Sequence, residues 1–264
     1  MEKEKGHSVL KVEGLSIGYK SRKSSSEIAA DIHFSLEEGE LVSVVGANGV
    51  GKSTLLRTLA RVQPKLGGSI DLKGRGLENY KPTELASQLS LVLTEQIPSK
   101  NLTVTEVVAL GRQPYTNWIG SLTGNDKEKI KNALSLVNIE AIKNKKCFEL
   151  SDGQLQKTMI ARALAQDTAL IILDEPTTHL DIYHKAYILK LLKEIAHKTQ
   201  KTILYSSHEI DLAIQLCDKM LVMTEDKISF GKPATLIESG SFSELFPTDL
   251  INFDKASGTF KVNK

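Results

Sequence analysis

Leu41-Val42-Ser43-Val44-Val45-Gly46-Ala47-Asn48-Gly49-Val50-Gly51-Lys52-Ser53 decides the fold. A compact run of strand formers ends abruptly in glycine, a glycine-rich turn follows, and Leu55, Leu56, Leu59 and Val62 then recur at helical spacing. The strand reads as buried on both faces of a sheet. Residues 46–53 match the pattern Gly-x-x-x-x-Gly-Lys-Ser/Thr, placed between the strand and the helix that it requires. Glycines at these spacings let successive backbone N–H groups turn inward around phosphate oxygens, and the helix adds its positive end. In such a loop the lysine, here Lys52, reaches the β and γ phosphates and the serine, here Ser53, ligates Mg²⁺.

Downstream, Ala169-Leu170-Ile171-Ile172-Leu173 is a second apolar strand, and it delivers Asp174-Glu175 at its carboxyl end, where ligands bind in α/β sheets. With phosphates presented at that same edge, Asp174 is placed to hold Mg²⁺ through its water shell. Glu175 is then the group that can orient and deprotonate a water attacking the γ phosphate. Residues 202–205 supply a further strand, separated from this one by a helix around 186–195. Upstream, alternation at Leu10, Val12, Ile17 and Tyr19, and again at Ile32, Phe34 and Leu36, predicts half-buried strands of an antiparallel sheet joined by a solvated connection at 21–26.

From about residue 97 to 165 the texture is helical. Thr103 with Glu106, Asn125 with Glu128, and Ser151 with Gln154 have the spacing of capping boxes, the second ahead of a stripe of Ile130, Ala133, Leu134 and Val137. An all-helical stretch between strand-rich segments reads as a lobe inserted in an α/β domain.

Composition bounds the function. Over 264 residues, 41% apolar and 25% charged is an ordinary globular balance. The longest uninterrupted apolar run is 169–173, far short of the roughly 20 residues that cross a bilayer, and no signal-type stretch follows the mixed charges of 1–7. Formal net charge is +2, too small for a broad electrostatic footprint, so no nucleic-acid partner is expected. The two cysteines, Cys147 and Cys217, have neither metal spacing nor a disulfide framework, and Cys217 lies on an apolar helical face; a reducing cytoplasm fits.

Taken together, the phosphate loop, Leu150-Ser151-Asp152-Gly153-Gln154, Asp174-Glu175, Thr177-Thr178-His179-Leu180-Asp181 and Ser207-His208 resemble the ATPase subunit of ABC transporters over about residues 9–231. The resemblance implies a P-loop NTPase with a RecA-like mixed sheet core, an antiparallel β subdomain and an inserted helical subdomain. It implies ATP on Tyr19, Gly46, Asn48, Gly49, Gly51, Lys52, Ser53 and Thr54, with Tyr19 stacking on adenine. Glu175, His208 and Gln96 become the catalytic set, His208 bonding the γ phosphate; Ser53, Asp174 and Gln96 become the Mg²⁺ set. Ser151, Gly153 and Gln154 belong to the signature that meets ATP on the opposing subunit, and Asp181 to the dimer-contact loop.

Two departures stand out. Asp152 replaces the first glycine of the signature, placing a carboxylate near the partner's phosphate. Where the family usually has proline-glutamine, this chain has Leu93-Thr94-Glu95-Gln96; residue type favours Gln96 as the γ-phosphate sensor, and counting along the strand favours Glu95.

Ala109-Leu110-Gly111-Arg112-Gln113-Pro114-Tyr115 resembles the ATPases of importers for iron-siderophores, haem and cobalamin. That implies a peripheral homodimer on the cytoplasmic face of the cell membrane, below a permease fed by an extracytoplasmic binding protein. A soluble scaffold ATPase, an exporter or another importer class shares the ATP motifs. The division expected is an ATPase domain over 1–240, with the helical subdomain about 97–165 inserted, and an extension over 241–264. That extension holds four of the seven phenylalanines and predicts a short capped helix at 241–246 and a second apolar cluster at Leu250, Ile251 and Phe253, covering its own domain or meeting a partner subunit.

Overall fold

The computed structural model describes residues 8–20, 24–93, 100–247 and 249–263. In chain order these form β1 (Ser8–Lys20), β2 (Ser25–Glu37), β3 (Leu41–Gly46), α1 (Lys52–Leu59), β4 (Gly67–Leu72), β5 (Arg75–Gly76), α2 (Pro82–Ala86) and β6 (Leu89–Val92). Helices α3 (Val104–Ala109), α4 (Gly124–Leu136) and α5 (Asp152–Ala165) follow, with a 3₁₀ segment at Leu110–Tyr115. Then come β7 (Leu170–Leu173), α6 (Ile182–Thr199), β8 (Thr202–Ser207), α7 (Ile210–Leu216), β9 (Lys219–Met223), β10 (Ile228–Gly231), α8 (Pro233–Glu238), β11 (Ile251–Asp254) and β12 (Thr259–Val262).

One six-stranded sheet, in the order β10-β9-β3-β8-β7-β6, is parallel except for the antiparallel edge strand β10. Its central strands alternate between two cores, as the pleat demands. Leu41 and Val45 of β3, Ile171 and Leu173 of β7, and Ile203 and Tyr205 of β8 face the helices. Val42, Val44, Leu170, Ile172 and Leu204 face α1 and a second, antiparallel sheet in the order β2-β1-β4-β5. Both strands expected near the amino terminus are present and pair antiparallel; β2 begins at Ser25, inside the connection expected at 21–26.

Helix α1 buries Leu55, Leu56 and Leu59 completely, but it stops at Leu59, and Val62 is 61% exposed beyond its end. The helical spacing therefore overruns the helix by one apolar position.

The helices between β6 and β7 correct one capping pair. Helix α4 starts at Gly124 with Thr123 as its cap, two residues before Asn125. The Thr123 hydroxyl accepts from the Asp126 amide, and the Asp126 carboxylate accepts from both the Thr123 amide (2.8 Å) and its hydroxyl (2.6 Å). Asp126 also takes Arg112 Nε at 2.8 Å, with both side chains buried, so the helix starts where its carboxylate completes an ion pair. Arg112 donates further to the Ala165 carbonyl and lies over the Tyr115 ring, whose hydroxyl donates to the Gln166 carbonyl. A Cβ at Gly111 would collide with the Arg162 carbonyl of α5. The stretch 109–115 is thus a clamp joining the 3₁₀ segment to α4 and α5.

Hydrogen bonds from Thr123, with the Arg112 guanidinium, hold the Asp126 carboxyl down to about 2. An unfolded aspartate titrates near ~3.9, so this depressed group stabilises the fold fully above that value and loses its contribution as pH falls through about 2. Asp126→Asn strands a buried guanidinium and should destabilise by ~3 kcal/mol at neutral pH. Thermal melts at neutral pH and near pH ~2 check this, since the gap between variant and parent should narrow in acid; an equal gap at both would place the loss elsewhere.

The segment 241–246 is a chain of turns, with Ser243 N–H on the Gly240 carbonyl and Leu245 N–H on the Phe242 carbonyl, instead of the short helix expected. The contact that decides this conformation is not local, since Phe242 is held by Phe253, eleven residues further on. The second cluster is a hairpin, β11 with β12. Phe242 is fully buried and stacks on Phe253 at 5.1 Å, and Phe260 meets Phe253 and Phe246 edge-on. These rings join the helix-side core that also holds Ile210, Ala213 and Leu236, so the residues after 240 pack on the preceding part of the same chain.

Candidate functional site

Adjacent parallel strands β3, β8 and β7 end at one edge of the sheet and deliver Gly46, His208 and Asp174-Glu175 there. Glycine is required by space at Gly46, where a Cβ would collide with the Met223 carbonyl oxygen. At Gly51 φ is +108°, and a Cβ would lie 2.6 Å from Ile28 Cγ2. Lys52 is buried and arches over the loop, donating from Nζ to the Gly46 and Ala47 carbonyls at 2.9 and 3.0 Å. Burial pushes its ammonium down in pKa, against the carboxylates of Glu175 and Asp174, which pull it up.

Ser53 Oγ donates to Asp174 Oδ1 at 3.0 Å, and the buried Ser206 hydroxyl donates to the same oxygen at 2.7 Å. Ser206 also accepts from the Glu175 amide at 2.8 Å, so one hydroxyl fixes the backbone joining the two acids. Glu175 has φ +49°, in the left-handed region that non-glycine residues rarely adopt. Its carboxylate accepts from His208 Nε2 at 2.6 Å and from the Thr178 hydroxyl at 3.1 Å. Tyr19, 58% exposed at the end of β1, places its hydroxyl 3.4 Å from Thr54 Oγ1. A cleft lined by Tyr19, Asn48, Gly49, Lys52, Ser53, Glu175 and His208 opens over this edge.

A second group gathers apart from that cleft. Ser151 caps α5 and closes a capping box with Gln154, as its spacing predicts, and Asp152 is exposed in the first turn. Asp181 caps α6, taking the His184 amide at 2.8 Å. Gly153 lies beneath the His184 ring. Gln96 and Glu95 lie outside the described residues.

Ser206 and His184 escaped the sequence reading, in which Thr178 stands within the 177–181 motif without a role for its hydroxyl. The paired hydroxyls Ser206-Ser207, closing an otherwise apolar strand, were the available signal for the first.

A central strand, glycine cradle and helix with an acidic pair on a nearby parallel strand define a P-loop nucleoside triphosphatase. The sequence model of the ABC transporter family matches residues 29–178, and the chain belongs to that family, as an ATP-binding cassette that hydrolyses ATP. An uncharacterised ABC transporter ATP-binding protein of Methanocaldococcus jannaschii is 38% identical, over 96% of this chain and 87% of the relative. The petrobactin import ATP-binding protein FpuC of Bacillus anthracis is 35% identical, over 87% and 85%. Among solved structures, an inward-facing ABC transporter of metal-chelate type superposes with TM-score 0.78 at 25% identity, covering 96% of this chain and 95% of that one. A dimeric ATP-binding cassette in a post-hydrolysis state, bound to ADP and phosphate, gives TM-score 0.71 at 25% identity, covering 85% and 98%.

Proposed function

We propose that the chain is the motor subunit of an importer for an iron complex, such as a siderophore or haem, or for cobalamin. It works as a homodimer at the cytoplasmic face of the cell membrane, beneath a permease loaded by an extracytoplasmic binding protein. The hydrogen-bonded run Ser53–Asp174–Ser206–Glu175–His208 at the edge of the phosphate loop carries the catalytic part of this reading. The solute class rests on the petrobactin importer relative, the metal-chelate structural neighbour and the clamp sequence at 109–115. Among the described residues no helix is long and apolar enough to cross a membrane, which suits a peripheral subunit. We read 1–240 as the ATPase domain, interrupted by the helices between β6 and β7, and 241–264 as its extension.

The donor chemistry fits Mg²⁺. Ser53 Oγ and Asp174 Oδ1 are hard oxygens 3.0 Å apart beside the loop, and Mg²⁺ needs only one or two protein oxygens besides phosphates and waters. When bound, the ion neutralises charge on the β and γ oxygens. Backbone N–H groups of the loop and the Lys52 ammonium hold the phosphates, while the exposed Tyr19 ring offers a face to the base. Glu175 takes a proton from the water that attacks the γ phosphorus as the bond to the bridging oxygen breaks. Its carboxylate is occupied by His208 at rest; a γ phosphate offers that N–H another acceptor and frees Oε1 for the water. Ser151, Gly153, Gln154 and Asp181 complete the partner's site in the dimer.

Affinity purification from native membranes should recover a polytopic permease with the chain. Cells lacking the chain should lose uptake of a radiolabelled iron chelate or of cobalamin, and the Lys52→Ala form should not restore it. Unimpaired uptake of iron chelates and cobalamin would remove the solute assignment, and recovery without any membrane protein would point to a soluble scaffold ATPase.

A further inference from the structure

We propose that His184 is a positioning residue that ties the Asp181 carboxylate to the start of α5, so that both present one fixed surface to the partner's nucleotide. The inference rests on the proposed roles of Asp181 and the α5 start across the dimer.

Asp181 is anchored twice by the same residue. The His184 amide donates to Oδ1 at 2.8 Å, and ring Nδ1 lies 2.9 Å from both Oδ1 and Oδ2. A carboxylate only accepts, so Nδ1 carries the hydrogen and the imidazole reads both oxygens at once. These two contacts hold the Asp181 carboxyl below the usual range, the amide first. The ring itself is braced. Tyr183 meets it edge-on at 5.4 Å and 88°, and a Cβ built on Gly153 would lie 3.4 Å from His184 Cδ2. His184 therefore occupies the space between α6 and the first turn of α5, with Asp181 at one end of its ring and Gly153 against its side.

This arrangement contributes direction more than stability. The side chains of His184 and Asp181 are 51% and 64% exposed, and exposed pairs add little to folding. The helix cap survives without the ring, because the backbone amide at 184 supplies it. What the ring removes is the freedom of the carboxylate to rotate and of the α5 start to drift from it. His184 lies outside the cleft lined by Lys52 and Glu175, so it acts on the composite site formed by two subunits and leaves the chain's own binding of nucleotide alone.

Four variants test this, each with melting, nucleotide titration of the monomer, ATP-driven dimerisation in a Glu175→Gln background, and steady-state hydrolysis. His184→Ala should melt like the parent and bind nucleotide within about twofold, while dimerisation weakens and kcat falls about tenfold, the scale of one hydrogen bond to a charged group. His184→Asn places an amide N–H where Nδ1 stands and should recover most of kcat. His184→Phe keeps the ring against Gly153 without the donor and should resemble alanine. Parental kcat in His184→Ala, or asparagine no better than phenylalanine, overturns the proposal. Asp181→Ala separates the two levels: if it is impaired while His184→Ala is not, only the positioning role fails; if it too matches the parent, the assigned role of Asp181 fails and this inference with it.

Discussion

Glu175→Gln should bind ATP as tightly as the parent and hydrolyse it at less than about one-hundredth of the rate, since a positioned general base supplies roughly 10²–10⁴. The amide keeps the length of the side chain: its oxygen can accept from His208 and its NH₂ can donate to the Thr178 hydroxyl, the two partners that hold the carboxylate at 2.6 and 3.1 Å. What it cannot do is take a proton from water. ATP-bound dimer should accumulate, because the step that dissolves it is blocked, and light scattering with and without ATP reads this directly. A variant hydrolysing at the parental rate would move the base to another residue.

Lys52→Ala should lose nucleotide affinity itself, by about 100-fold or more, the sum of two charged hydrogen bonds of ~1.5–3 kcal/mol each. The ammonium now donates to the carbonyls of Gly46 and Ala47, which places it at the mouth of the cradle where β and γ oxygens arrive. Equilibrium titration with a nonhydrolysable analogue measures the loss without interference from turnover. An unchanged dissociation constant would mean that the loop holds something other than a nucleoside triphosphate. The two variants divide the machinery: one stops after binding, the other before it.

Residues 41–56 already carried the strand, cradle and helix, because glycine spacing, a lysine and the passage from a compact run of strand formers to helical spacing are local properties. The acidic pair was legible for the same reason, as were the capping boxes at Thr103 and Ser151, each contained in four residues. Misreadings arose where a distant group decides. Asn125 with Glu128 looks as good a box as Thr123 with Asp126 until Arg112, fourteen positions away, is seen to need the Asp126 carboxylate. Likewise, the hydroxyl pair at 206–207 does not reveal its partners until β8 lies between β3 and β7 and Ser206 meets the Asp174 carboxylate and the Glu175 amide. The phenylalanines after 240 announced burial but not a hairpin, since stacking of Phe242 on Phe253 spans eleven residues.

The left-handed backbone at Glu175 sets folding and chemistry against each other at a single position. A side chain in that conformation costs about 1–2 kcal/mol that glycine would not incur. Selection for a durable fold alone would therefore favour glycine there, and the carboxylate persists only while turnover is useful to the cell. A descendant of this cassette retired from transport could gain robustness by that one replacement and still fold, bind ATP and pair with its partner. The identity of residue 175 would then be the first mark in the gene to show that the motor had become a clamp.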